Sequence, residues 1–246
     1  MVGMKNSSNT YLPVQRTARL NNWKKVFSRL VRNKSAVIGG SFILLFMIIV
    51  FFAPLLAPYD PIQQDMLNKL QTPSSEHWFG TDNFGRDIFS RILYGTRLTM
   101  IVGFFSVALG ATIGVLLGII SGYYGGKIDS VIMRIMDIFL AFPGILLALA
   151  IVTILGGSLI NVIIAVSFSS IPIFARIVRA STLSVKKLEY IDAIRALGAS
   201  DRRIIFKHIF PNITSPLIVQ ATLNIATAIL SASGLSFLGL GAQPPT

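Results

Sequence analysis

The sequence predicts an all-α membrane protein, a polytopic helical bundle with five transmembrane helices in this chain. Three observations carry that reading. Of 246 residues, 53% are hydrophobic and only 13% charged, with a mean hydropathy of +0.69, far from the roughly quarter-charged composition of soluble domains. Five apolar runs, near 36–56, 98–120, 135–155, 159–178 and 213–233, reach the roughly 20 residues needed to cross a ~30 Å hydrocarbon core. The 22 cations and 10 acids sit in blocks between those runs. Nucleic-acid binding needs a continuous basic face, so the net charge of +12 reports membrane topology and argues against a nucleic-acid partner.

Residues 1–35 hold eight Lys or Arg and no acid, which by the positive-inside rule places the N-terminus in the cytoplasm. Within this arm Trp23, Phe27, Leu30 and Val31 recur at helical spacing among Lys24, Lys25, Arg29 and Arg32. The pattern fits a helix lying in the membrane interface against lipid, or a basic tail that supplies topology alone. The first span, 36–56, begins beyond residue 35 and is too long for a signal-peptide core, so it is expected to be retained. Residues 57–97 then fall outside with four cations and five acids, 121–134 fall inside with Lys127 and Arg134, 156–158 form a short outer turn, and 176–208 return inside with eight cations. The chain thus divides into an N-terminal arm (1–35), a first span (36–56), an extracytoplasmic loop (57–97) and a core with the remaining four spans (98–246).

The spans are poor in chemistry. Gly110, Gly114 and Gly118 form a G-x-x-x-G-x-x-x-G stripe on one face of the second span, which allows close helix approach within the chain or at a subunit interface. The middles of the spans hold almost no ionisable groups, with Arg134 and Asp137 at the edge of the third, whereas proton- or ion-coupled carriers need buried relays or counter-ions. Asn161, Ser167, Ser169, Ser170, Thr222 and Asn224 either line a path or hydrogen-bond between helices. GYYGGKID at 122–129 fails as a phosphate loop, because Ser121 and Ile128 stand where Gly and Ser or Thr are required. His77 and His208 are isolated in loops without ligand spacing, there is no Cys, and no nucleophile motif or acid dyad appears. No metal site or enzyme chemistry is therefore expected. In the outer loop, Asp82, Arg86 and Asp87 meet an external partner or satisfy one another within a salt-bridged loop.

One polar stretch interrupts the core: YIDAIRALGASDRRIIFKHIFPN, 190–212. Leu188, Ile191, Ile194 and Leu197 recur every three residues, as on one helix face. Gly198 is a left-handed stop, Ser200 caps a second helix with Asp201 at its positive end, and Pro211 marks that helix's end. The expectation is a projecting hairpin of two short helices. From periodicity, docking into a groove on another protein and lying on anionic lipid are equally supported.

This segment resembles the EAA loop of binding-protein-dependent ABC transporter permeases, spanning 181–212 here. Asp192, Ala193 and Ile194 occupy the Glu-Ala-Ala triplet, Gly198 the glycine, and Ile209, Phe210 and Pro211 the end. Asp stands for Glu, Ile for the second Ala, and no Leu precedes the Pro. RNKSAVIGG, FGTDNFGRDIFSRILYGTR, GYYGGKID, DIFLAFPGILLALA and GLSFLGLGAQPPT extend the likeness along nearly the whole chain, to the second permease subunit of dipeptide, oligopeptide and nickel importers.

The resemblance implies a permease subunit in a prokaryotic inner membrane, importing peptides, with nickel as the alternative and a stand-alone channel or carrier as the remote one. It implies four kinds of partner: a homologous second permease, two ATP-binding subunits that carry the ATP and Mg, an extracytoplasmic substrate-binding protein, and membrane lipids. No cofactor is expected on this chain. Glu189, Asp192, Ala193, Arg195, Ala196, Gly198, Ala199, Ser200 and Pro211 become the expected ATPase-coupling residues, and Asn161, Ser167, Ser170 and Asn224 the candidates for the path. The family normally continues past a QPPT-like stretch into a sixth span, whereas this sequence stops at Thr246, so five spans are expected to form an incomplete pathway.

Overall fold

The structure, a computed structural model, describes residues 31–241. The interfacial helix expected around Trp23 and Phe27 and the QPPT stretch at 243–246 lie outside the described residues. The chain forms two compact units, one ending at Phe52 and one beginning at Ala53.

Helix α1, Lys34–Leu56, starts where the Asn33 side chain accepts from the N–H groups of Ser35 and Ala36 at 3.1 and 3.4 Å, satisfying two donors that the first turn leaves free. After a loop, α2 runs from Ile88 to Tyr124. Its N-cap is Asp87, whose carboxylate accepts from the Ser90 N–H at 2.7 Å. The 37 residues of α2 measure about 55 Å, nearly twice a ~30 Å core. Helix therefore begins ten residues before the predicted span at 98, inside the segment read as loop.

Two shorter helices follow, α3 (Gly126–Leu140) and α4 (Gly144–Leu155), bent by 87° at their junction. The third predicted span is thus a broken one. Its cause is Pro143, which cannot continue a helix and restricts the residue before it. Helix α5, Leu159–Lys186, starts at Ser158, whose hydroxyl accepts from the Asn161 N–H at 3.2 Å. Then come α6 (Glu189–Ala196), α7 (Asp201–Ile204), a π turn (Ile205–Ile209) and α8 (Phe210–Phe237). Among the described residues four helical stretches are long and apolar enough to cross a membrane, namely α1, α2, α5 and the run from Asp201 to Phe237, with the bent α3–α4 pair as a fifth. No strand occurs among them, only an isolated bridge between Thr81 and Asp87.

The second unit is organised around α2 and α5, which pack along much of their length, with α8 against both and α4 against α5. A Cβ placed on Gly110 would stand 2.9 Å from the Ser167 carbonyl oxygen, one on Gly114 2.6 Å from Phe174 Cβ, and one on Gly118 2.8 Å from Val178 Cβ. The stripe is therefore filled by α5 of the same chain, where contact between backbones replaces side-chain packing. Helix α3 is pinned to α5 by two ion pairs: Arg179 Nε and Nη2 each meet the Asp129 carboxylate at 2.5 Å, and Arg176 Nη2 meets Asp137 Oδ1 at 2.8 Å. Asp137 thus pairs with Arg176 of α5, and Asp129 also accepts from the Ser121 hydroxyl.

Candidate functional site

The segment 181–212 is shaped by three constraints. Helix α5 runs through Lys186. Helix α6 then carries Glu189 and Asp192 in its first turn, where carboxylates suit the positive helix end. It stops at Gly198, whose φ of +83° is the left-handed conformation that glycine adopts without penalty. The Gly198 N–H donates to the Arg195 carbonyl at 2.9 Å and the Ala199 N–H to the Ile194 carbonyl at 3.2 Å, closing the corner.

Which face docks differs from the expectation. Ile191, Ile204, Ile209 and Ile213 are fully buried against Val115, Ile119, Tyr123 and Val178, with Ile194 packed at the edge. Leu188 is 46% exposed and Leu197 87%. The three-residue spacing marked one face, but burial is decided by isoleucines drawn from α6, α7, the π turn and α8 together. Ser200 occupies the N-cap position of α7 without making a side-chain cap hydrogen bond. Asp201 instead receives a 2.6 Å hydrogen bond from the Tyr123 hydroxyl at the end of α2. Pro211 does not end the second helix: it lies in the first turn of α8, where a missing N–H is tolerated. Of the nine expected coupling residues, all but Ala199, which is half-buried, are exposed. Among the described residues Asp192 meets only Arg195, at 3.4 Å within its own helix.

A second feature lies at the α3–α4 bend: a cavity of about 460 Å³ between the bend, α5 and α8. It brings together two of the four expected path residues, Ser170 and Asn224, and adds Ser169, Gln220, Thr227 and Ser231. Asn224 is only 4% exposed, and its Nδ2 has no hydrogen-bond partner among the described residues. The other two expected residues sit elsewhere. Asn161 Nδ2 donates to the carbonyls of Leu155 and Gly156 at 2.7 and 3.0 Å, fastening the end of α4 to α5. Ser167 is buried beside Gly110 and donates to the Ile164 carbonyl at 2.7 Å. Gln220, Asn224, Thr227 and Ser231 recur at spacings of four, three and four, so a polar stripe on one face of α8 was present in the sequence to be found.

The loop between α1 and α2 satisfies itself. The Asp82 carboxylate accepts from the N–H groups of Phe84 and Arg86 at 2.8 and 3.0 Å, from Arg86 Nε at 2.8 Å, and from Arg91. Burial works to raise the Asp82 pKa, but the two N–H groups and the Arg86 guanidinium outweigh it and hold the carboxyl below its ordinary range. Asp87 behaves alike: burial pushes it up, while hydrogen bonds from Ser90 and His77 bring it below the usual value. His77, expected to stand alone, has its Nδ1 3.0 Å from Asp87 Oδ1. Among the described residues no group of three or more His, Cys, Asp or Glu is placed to hold a metal ion.

Residues 114–246 match the family model described as binding-protein-dependent transport system inner membrane component, and residues 21–73 match the N-terminal TM domain of oligopeptide transport permease C. A dipeptide transport system permease protein, DppC, of Alkalihalophilus pseudofirmus is 52% identical over 233 residues, which cover 95% of this chain and 77% of the relative. A glutathione transport system permease protein, GsiD, of Pectobacterium atrosepticum is 49% identical over 238 residues, covering 95% of this chain and 78% of its own. A solved structure of the MetNI methionine ABC transporter, inward facing, aligns with 59% of this chain and 71% of that one, with a TM-score of 0.49 and 26% identity.

Proposed function

The chain belongs to the family of binding-protein-dependent transport system inner membrane components, and from that premise we propose that it is the multi-pass permease subunit of an ATP-driven peptide importer. The relatives named for dipeptide and glutathione transport favour peptides over nickel. The N-terminus and the α6–α7 hairpin face the cytoplasm, as the cation distribution supports. A homologous permease completes the pathway, two ATP-binding subunits carry the ATP and Mg, and an extracytoplasmic binding protein delivers the peptide. This chain holds no cofactor and catalyses no reaction.

The observation that carries the mechanism is continuity. From Asp201 to Phe237 the chain forms one 37-residue helical stretch, bearing the exposed hairpin corner at one end and the polar stripe of Gln220, Asn224, Thr227 and Ser231 further along. Asp201 and Asn224 are about 35 Å apart along such a helix. Closure of the ATPase dimer pushes on Glu189, Asp192, Ala193, Arg195, Ala196 and the Gly198–Ser200 corner. The rod transmits that displacement to the wall of the cavity, and access alternates between the two sides.

The test is reconstitution. Dipeptide uptake into liposomes is expected only when the permease pair, the ATPases, ATP and the loaded binding protein are all present. Uptake by this chain alone would overturn the proposal in favour of a channel or carrier.

A further inference from the structure

We propose that the cleft where the π turn meets the inner end of α2 is a binding site for one anionic phospholipid, with its headgroup against Arg202 and Arg203 and an acyl chain in the apolar groove beside them. The proposal rests on the cytoplasmic orientation of the hairpin given above and is independent of what the permease carries.

Two adjoining cavities make the cleft. One, of about 390 Å³, is lined by Ser200, Arg202, Arg203 and Phe206. The other, of about 420 Å³, is walled by Leu116, Ile120, Tyr124, Ile128 and Phe210, with Phe206 again, so a basic end passes into an apolar one at a single ring. The π turn shapes this face. Ile204 and Ile209, five residues apart, are both fully buried, a spacing that a π turn aligns and an α-helix does not. Phe206 and Phe210 are left outside the core, 63% and 39% exposed, and such single π turns recur at functional sites.

Charge identifies the occupant. Arg202 and Arg203 are exposed and form no ion pair among the described residues, and no Asp or Glu lines either cavity. The neighbouring Asp201 carboxylate is taken by the Tyr123 hydroxyl. Leu116 and Ile120 close the predicted second span, 98–120, and Phe210 lies just before the fifth, 213–233, so the groove sits at the inner edge of the hydrocarbon core and the two arginines beyond it. Tyr124, 52% exposed, suits that boundary, where amphipathic rings collect. A peripheral ATPase does not reach a groove at that depth, and the apolar face of a second permease would leave the arginines without a counter-charge. A phospholipid meets both demands at once, because a phosphate and an apolar chain are joined in one molecule.

The probes are dioleoyl phosphatidylglycerol and dioleoyl phosphatidylcholine, which share their chains and differ in net charge. Each is titrated into the intact permease–ATPase complex in detergent, and bound lipids are counted by native mass spectrometry. The wild type is expected to hold its first phosphatidylglycerol about tenfold more tightly than phosphatidylcholine, the scale of one to two cations beside a headgroup. Arg202→Gln with Arg203→Gln should abolish that preference, and Arg202→Lys with Arg203→Lys should keep it. Phe206→Ala should weaken both lipids alike. Arg134→Gln with Lys187→Gln removes two exposed cations that line neither cavity and should leave the preference intact. Equal affinities in the wild type, retention of neither lipid because protein covers the groove, or a preference that survives the paired glutamines at 202 and 203 would overturn the site. So would a preference lost as fully with Arg134 and Lys187, or unaltered affinities in Phe206→Ala. Displacement by glycerol phosphate at equal concentration would leave an anion site without a lipid. Loss of the ATPases from the variant at 202 and 203, with the lipid preference unmoved, would give both arginines to the ATPase contact. Should that variant not assemble, the wild-type preference, Phe206→Ala and the glycerol phosphate competition decide.

Discussion

The Tyr123 hydroxyl donates a 2.6 Å hydrogen bond to Oδ1 of Asp201, 78 residues later in the chain, and so ties the end of α2 to the first residue of α7. The ring is buried, its carbonyl accepts from Lys186 Nζ at 2.5 Å, and the Arg195 guanidinium stands 6.0 Å from its centre. Tyr123→Phe keeps the packing and removes one donor. With Asp201 exposed to competing water, the expected cost is about 1 kcal/mol of hairpin docking. Amide exchange should quicken across 189–204 and not in the middle of α2, and the reconstituted complex should move less peptide per ATP hydrolysed.

The α2–α5 contact leaves no room at Gly114, where an added Cβ would stand 2.6 Å from Phe174 Cβ and 2.7 Å from the Ile171 carbonyl oxygen. Gly114→Leu is expected to cost about 3 kcal/mol or more, since neither neighbour has free space to retreat into. Gly95, on the same helix, has no heavy atom within 4 Å of its Cβ position, so Gly95→Ala should be neutral or gain up to about 1 kcal/mol from helix propensity. Thermal unfolding in detergent, followed by circular dichroism, ranks the pair. Equal midpoints would contradict the packing account.

At Gly198 the restriction is conformational, because nothing lies within 4 Å of its Cβ position while φ is +83°. Gly198→Asn, a residue at ease in the left-handed region, should retain most uptake, and Gly198→Ala should lose about 1 kcal/mol of local stability. Gly198→Arg carries similar backbone strain but adds bulk at the corner. Membrane insertion is expected to persist while uptake separates from ATP hydrolysis. Normal uptake by Gly198→Arg would take the corner out of the docking surface.

Asp82 and Asp87 are both held below the ordinary aspartate value of 3.8. Lowered folded-state values mean that ionisation stabilises the loop fully above 3.8, and that this contribution is lost as pH falls through the still lower folded values. Trp78 reports on the loop through its ring contact with Phe89, 4.9 Å between centres. In a Trp23→Phe background, its emission should stay constant from pH 7 to about 4 and shift to the red only below that. A transition centred near pH 6 would assign the loop's order to other groups.

Much of the bundle was legible because apolar run length is a direct consequence of bilayer thickness, and the Gly198 corner because few residues adopt positive φ. The bend was missed since ILLALAIVTIL is as apolar as the residues before it; the Pro143–Gly144 pair was the available signal and hydropathy does not register it. Pro211 misled in the opposite direction: it lies in the first turn of α8, where its missing N–H is tolerated. The cavity was half visible: Asn224 and Ser170 stood out singly, whereas Gln220, Thr227 and Ser231 matter only as a stripe with Asn224. The Tyr123–Asp201 and Arg179–Asp129 contacts join residues distant in sequence, and no local periodicity encodes such pairs.

Helix α4 has consequences for biogenesis. Its 12 residues rise about 18 Å, short of a ~30 Å core, and the peptide groups at 141–143 interrupt the helical ladder, which lipid does not tolerate unless protein or a water-lined space surrounds them. The segment therefore has no stable existence as a lone inserted hairpin arm. It needs α5, whose Asn161 fastens the end of α4 and whose Arg176 and Arg179 hold α3, so the ribosome must synthesise beyond Lys186 before residues 126–155 can leave the translocon for the bilayer in their final form.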